Sequence, residues 1–316
     1  CHIFGGTDDL AWNLGDPDGV TRLNANVQAI SVWQLMLLPG INNFWANQVP
    51  LARFFPTGFF LEHHPLKGAL FTKSLRGLAN QGPMHWGGDR SGGFGVREDP
   101  DSLDEDAAFK SFNVAFRGLM GRTGPLSVAE MQAYTDFMLQ VVYPPNPVRA
   151  LDNSLTPAQA NAKDIFLNVN VHRTVEHPLL PELQFKCSDC HGLDPAQGFF
   201  GSRGRSSFRS DRTQIFKVPH LRSLYATVGM FGVPAANPVP TGPQIRSVGF
   251  QHDASADTIL TFLSDPRLHF PGADQAEKDQ NRLDMVDYML AFENESAPVL
   301  GQQVTLDFAG PGADLL

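Results

Sequence analysis

The chain has 316 residues, room for two ordinary domains, and 42% of them are hydrophobic, enough for real cores. A net charge of −9 argues against nucleic acid as a partner, and no apolar run approaches the length of a membrane span. Charged residues make up only 18% while Gly (29) and Pro (24) are plentiful, a balance expected of long irregular connections wrapped around something large.

The chain opens Cys1-His2. These are the last two letters of C-x-x-C-H, the attachment motif of c-type haem, whose complete form stands further along. On that reading a further cysteine lies upstream of Cys1; a chance Cys-His pair is the alternative. No secretory signal is present. Thioether attachment of haem normally follows export. A targeting segment is therefore expected upstream, with room there for an additional domain, and the protein is expected in the periplasm or outside the cell.

Residues 3–60 mix aromatics (Phe4, Trp12, Trp33, Phe44, Trp45, Phe54, Phe55, Phe59, Phe60) with Gly, Asp and Pro. Such rings serve equally as core or as the apolar wall of a haem. Ala29 to Leu38 reads as a short helix ended by Pro39-Gly40. Asp16-Pro17-Asp18-Gly19 is a turn signal; its carboxylates are also the kind calcium takes, with a plain turn the simpler reading.

From 101 the pattern turns helical. Phe109, Phe112, Phe116 and Leu119 recur at three- and four-residue steps, and Gly121 falls where a helix stops. Ser127 and Glu130 form a capping box opening a helix with Met131, Tyr134, Met138 and Val141 on its apolar face. Pro144, Pro145 and Pro147 end it. Residues 143–155 read as a connection between an N-terminal domain (1–150) and a C-terminal one (151–316). Thr156-Pro157-x-Gln159 starts the next helix, with Pro at its first position.

About twenty residues beyond Leu167 comes Cys187-Ser188-Asp189-Cys190-His191, the full C-x-x-C-H. Two thiols add across the porphyrin vinyl groups. Two intervening residues let both sulfurs reach one macrocycle edge, and His191 supplies the proximal nitrogen to iron. A disulfide, a redox C-x-x-C and half a zinc site compete with this. A zinc site needs further ligands at matching spacing, and only one other cysteine exists. Residues 198–214 read as a loop. A helix starting near Ser255 carries Ile259, Leu260 and Leu263, and the last helix spans roughly 275–292 with Leu283, Val286, Met289 and Leu290 inward. The expected fold class is mostly α: two cytochrome c-like haem domains with long loops and little strand.

A haem iron held by one histidine keeps a sixth position, and its occupant decides between closed electron carrier and open catalyst. The segment His63-His64-Pro65-Leu66-Lys67-Gly68, then Thr72-Lys73-Ser74-Leu75-Arg76-Gly77-Leu78 and Met84-His85-Trp86-Gly87-Gly88-Asp89-Arg90, resembles the di-haem cytochrome c peroxidase/MauG superfamily. Phe216-Lys217-Val218-Pro219-His220-Leu221-Arg222-Ser223-Leu224 is similar to that family's Pro-x-Leu-Arg-Asn stretch. Gly249-Phe250-Gln251-His252-Asp253 is similar to its ligand loop. Gly82-Pro83-Met84-His85-Trp86 and Val228-Gly229-Met230-Phe231-Gly232 look closer still to a bacterial subgroup often attached to β-propellers.

The resemblance implies two covalent haems c. His2 and His191 would be proximal ligands, and His63 (with its neighbour His64 open as an alternative) the displaceable distal ligand of the N-terminal haem. Trp86 would stand between the haems. His85 reads more simply as a satisfied core histidine. For the C-terminal haem the family places Met or Tyr directly before the ligand-loop His, where this chain has Gln251, a poor iron ligand. Met230 is the first expectation for that sixth ligand and His252 the second, across a Pro-rich insertion at 233–248. The family's peroxidases also carry a distal glutamate for acid–base work. The nearest counterpart here, Asn113-Val114-Ala115-Phe116, has no carboxylate, and Glu105 and Asp106 are expected to face solvent. The implied activity is electron transfer between haems with peroxide or oxygen reduction at the N-terminal one. Its electrons would come from a redox partner protein or a small donor. The alternative is a purely electron-transferring subunit of a larger assembly.

Overall fold

Two-residue strands staple loops in this molecule, while helices build its cores. The structure is a computed structural model and describes residues 2–12, 22–23, 62–63, 70–82, 84–86, 90, 104–173, 184–202, 206–207, 216–229, 244–245, 249–252 and 256–298. Among these it is mostly helical with few short strands, as the pattern of the sequence implies.

In the first half, β1 (Ala11–Trp12) pairs antiparallel with β4 (Leu70–Phe71), and β2 (Arg22–Leu23) with β3 (Glu62–His63). The expected aromatic helix forms as two short pieces, α1 (Glu105–Lys110) and α2 (Asn113–Gly118). The Asp104 carboxylate caps α1 by accepting from the Ala107 N–H at 2.9 Å. Because α2 ends at Gly118, Leu119 falls outside it and is 48% exposed rather than inward. Next comes α3 (Val128–Met138), opened by the capping box of Ser127 and Glu130 that the sequence predicts. Met131 and Met138 on α3 pack with Met84, Ala108 and Phe109 into one core, with Leu75, Leu78, Tyr134 and Val141 at its margin.

The second core is larger. The next helix, α4 (Pro157–Asn168), starts where the sequence predicts, with Pro157 at its first position, and Thr156 and Gln159 close a capping box there. This helix packs on the last one, α7 (Gln275–Leu290), through Ala162, Ile165, Phe166, Met285, Tyr288, Met289 and Phe292. Leu283 is 38% exposed instead of inward. At about 100° per residue it lies roughly 160° around the helix from Met285, opposite the stripe that Met285, Tyr288, Met289 and Phe292 make. Between these helices run the hairpin β5 (Asn170–Arg173) with β6 (Gln184–Lys186), then α5 (Cys187–Cys190) and the pair β7 (Leu193–Asp194) with β8 (Phe199–Phe200). The pairs β9 (Ser206–Ser207) with β10 (Phe216–Lys217), and β11 (Val228–Gly229) with β12 (Gln244–Ile245), follow. The helix predicted near Ser255 begins later, as α6 (Ile259–Leu263), capped by Thr258.

Residues 143–155, read as a connection from the prolines, are pinned to the end of α7. Asn146 donates to the carbonyls of Leu290 (2.9 Å) and Phe292 (3.0 Å), and Arg149 donates to that of Ala291 (2.9 Å). Glu293 gathers Arg149, Lys163 and the Tyr288 hydroxyl. No described helix is long and apolar enough to cross a membrane.

Candidate functional site

The hairpin of β5 and β6 delivers the chain into α5, a single helical turn made of Cys187 to Cys190. Asp189 reaches back to accept from the Lys186 N–H at 2.8 Å, which fixes the start of the turn. Residues three apart on a helix share a face, so both thiols issue from one side of it. Cys187 packs against the second core and burial pushes its thiol pKa up to about 12, which keeps it protonated; Cys190 is exposed.

His191 caps this turn, its N–H bonded to the Cys187 carbonyl at 2.8 Å. Its ring Nδ1 faces two carbonyls, Gly201 O at 2.9 Å and Pro219 O at 3.2 Å. Carbonyls only accept, so Nδ1 carries the proton and Nε2 is left with a lone pair. Burial lowers the His191 pKa, which favours this neutral form. Gly201 itself has φ +84°, and a Cβ there would meet Leu221 at 2.7 Å, so glycine is what lets its carbonyl come close. A histidine with one nitrogen fixed on backbone carbonyl and the other free is the arrangement metal-binding imidazoles take. Two thiols on one helical face with that imidazole directly after them therefore fit a c-type haem. Among the described residues no three His, Cys, Asp or Glu side chains gather as a metal site.

Trp86 lies where the two halves meet. Its indole N–H donates to the Phe71 carbonyl at 2.5 Å, and its own carbonyl accepts from the Lys217 N–H at 2.8 Å. Lys217 is two residues from Pro219, which supports His191. The Trp86 ring meets the His252 ring edge-on at 6.3 Å, and the His252 carbonyl accepts from the Phe71 N–H at 2.8 Å. The Lys73 ammonium sits 4.3 Å above the indole. His85 and Gln251, the residues just before Trp86 and His252, both have φ of 71°, a left-handed backbone that costs energy for a side-chain-bearing residue.

Of the other predicted residues, His2 is exposed. It hydrogen-bonds to the backbone at Lys73 and Gly6, and partial burial of the ring lowers its pKa. His63 pairs with Arg22 across β3 and β2. Cys1, His64, Met230 and the turn from Asp16 to Gly19 lie outside the described residues, as do the helix expected at 29–38 and the insertion at 233–248. His85 is half-buried against the Phe112 ring at 6.4 Å.

Asn113, standing where the family has glutamate, is a loop clamp: it donates to the Leu126 carbonyl and accepts from the Leu126 N–H. Glu105, expected to face solvent, instead turns inward. It accepts from the Gly82 N–H at 2.7 Å, on the loop leading to Trp86, and burial raises its pKa. Lys73, Lys217 and Arg222 also belong here, and their position within the two recognised motif stretches was the available signal.

No family model matches the chain, and no curated protein matches it. Among solved structures, the xenon-pressurised hydrazine synthase of Kuenenia stuttgartiensis is similar over 71% of this chain and 72% of that one, at 18% identity and a TM-score of 0.42. A likeness at that level carries no argument about this chain.

Proposed function

We propose that this chain is a di-haem c-type cytochrome, exported, that moves electrons between two covalently held haems and reduces peroxide or oxygen at the N-terminal one. One observation carries this reading: a continuous path of contacts from His2 through Lys73 and Trp86 to Lys217, Pro219 and His191. Both histidines of the C-x-x-C-H-like pairs thus touch one network with an indole at its middle. In this reading Cys187 and Cys190 hold the C-terminal haem, and Cys1 holds the other. His191 and His2 present their nitrogens as proximal ligands, and each domain, 1–150 and 151–316, carries one site. Bound haem supplies one-electron chemistry at iron.

The chain's own groups do the rest. Trp86 provides a polarisable bridge, fixed at its N–H by Phe71 and at its carbonyl by Lys217. His252 lies on the Trp86 ring and is a candidate sixth ligand with Met230; His63 is the candidate displaceable ligand. Glu105, raised in pKa by burial, is the carboxyl available to hold a proton near the tryptophan loop. The Asn113 clamp in place of a distal carboxylate favours a second reading, a purely electron-carrying subunit.

Pyridine haemochrome quantification on the intact protein tests the first level: two haems per chain are expected. Finding one would leave Cys1-His2 without a role. Spectra of both redox states test the second. Iron that remains six-coordinate and low-spin throughout, with no response to peroxide, leaves only the electron carrier. Trp86→Phe is expected to slow electron exchange between the haems while both stay attached.

A further inference from the structure

Lys217 and Arg222 are 5% and 3% exposed, and both come from the segment that supports His191. Lys73 joins them across the indole of Trp86, and His220 follows Pro219 directly. We infer that Lys73, Lys217, Arg222 and His220 form a receiving site for a pair of carboxylates, the two propionates carried by a porphyrin held at Cys187, Cys190 and His191. This rests on the haem reading above.

Buried charges are expensive unless opposite charges and hydrogen bonds compensate them. The described carboxylates here are two. Glu295 pairs with Arg222, and Glu105, held by the Gly82 N–H, faces Lys217. Lys73 has the Trp86 ring beside it and no described carboxylate. Lys217 also feels the repulsion of both Lys73 and Arg222, so the three cations are close neighbours.

Hydrogen-bonding capacity is left over as well. The Nδ1 of His220, the Nε of Arg222 and the Oγ of Ser223 are buried without a partner, whereas the His220 Nε2 meets the Tyr143 hydroxyl at 3.3 Å. Buried polar atoms are rarely left unpaired in folded proteins. Excess positive charge with unused donors, in one place, is what an oxyanion-bearing group completes. Gly77 shows how tightly Arg222 is aimed: the guanidinium donates to its carbonyl at 2.5 Å, and a Cβ there would lie 2.5 Å from the same group. The carboxylate source follows from position. Pro219, whose carbonyl accepts from the His191 Nδ1–H, stands between Lys217 and His220, so these groups surround the histidine that would hold the porphyrin, and its two carboxylates are the source the inference takes. A free inorganic oxyanion offers the same chemistry.

The test uses the full-length, haem-loaded protein, with haem counted first. Resonance Raman of the propionate bending modes is compared for the wild type, Lys73→Met, Lys217→Met and Lys73→Arg. The two Met variants are expected to shift the band and lower the haem midpoint potential, with Lys73→Arg restoring the band. Inorganic phosphate is expected to leave the wild-type melting temperature unchanged, because the site is filled. A band unmoved in both Met variants overturns the inference. Phosphate that stabilises the loaded wild type also overturns it, in favour of a free anion. If no haem is found, the reading above falls. In that case saturable stabilisation of the same protein by phosphate keeps an anion site, and no effect removes it. The phosphate arm decides even if a variant fails to fold.

Discussion

The two histidines that follow a cysteine in this chain sit in opposite surroundings. At 191 the imidazole is held before any partner arrives: its turn is fixed by Asp189, its Nδ1 by two carbonyls, and its neighbour Cys187 by a core. At 2 the imidazole is exposed, just before a three-residue 3₁₀ turn, Ile3–Gly5, and tied down by backbone contacts. The lesson is that pre-organisation is spent at one end only. The turn before His191 stands on the larger core, while His2 is held by the backbone at Lys73 and Gly6.

Removing the attachment chemistry gives the largest break in this comparison. The double variant Cys187→Ser, Cys190→Ser is expected to lose one haem per chain by pyridine haemochrome. His2→Ala is expected to keep the wild-type count and change only the ligand-field spectrum. Equal losses from both would erase the distinction. The cores come next. Phe166 is fully buried among Tyr288 and Phe292, and Phe166→Ala is expected to cost about 3–5 kcal/mol in urea unfolding. Phe109→Ala is expected to cost less, because Phe112 and Phe116 beside it are half-buried and can close on the space. A larger loss at Phe109 would reverse the ranking of the two cores.

Much of this frame is legible in the residues. The capping box at Ser127 and the helix start at Thr156-Pro157 are local chemistry, a few residues long, and they form where expected. The stripe on α7 is legible in Val286, Met289 and Leu290, which pack on the core as expected; Leu283 is the exception, since it suits an apolar face as well as Met285 does and only the partner helix α4 selects between them. The thiol pair and His191 announce themselves by spacing, whereas the two carbonyls on Nδ1 come from residues ten and twenty-eight positions away. Glu105 reads as a solvated first-turn carboxylate, and what turns it inward is a backbone N–H from a distant loop. Such long-range contacts have no periodic signature. The strand pairs are equally hidden, because most are two residues long and carry no alternation.

Smaller effects sharpen the picture further. Glu293→Gln weakens a carboxylate shared by Arg149, Lys163 and Tyr288 and is expected to cost about 1–3 kcal/mol by denaturant midpoint; an unchanged midpoint would mean the cluster contributes no stability. His220 titrates at the junction itself. Burial first, then the charges of Arg222, Lys73 and Lys217, hold its pKa well below 6.5. The unfolded chain therefore binds a proton near pH 6.5 that the native state refuses, so stability is full above that pH and falls as pH drops below it. Urea midpoints between pH 7.5 and pH 5 check this, and His220→Gln is expected to flatten the slope. Least of all, Ser127→Ala and Thr156→Ala are each expected to cost about 1 kcal/mol. Near-equal values would show that capping is local and indifferent to which half holds it.

The fastening of Asn146 and Arg149 to the carbonyls beyond α7 bears on how the polypeptide comes apart. A protease nick between Asp152 and Ser154 would sever the backbone yet leave the fragments clasped, since the residues doing the clasping stay on the front piece and grip the tail of the back one. A cut ahead of Tyr143 would carry that clasp along with the rear fragment.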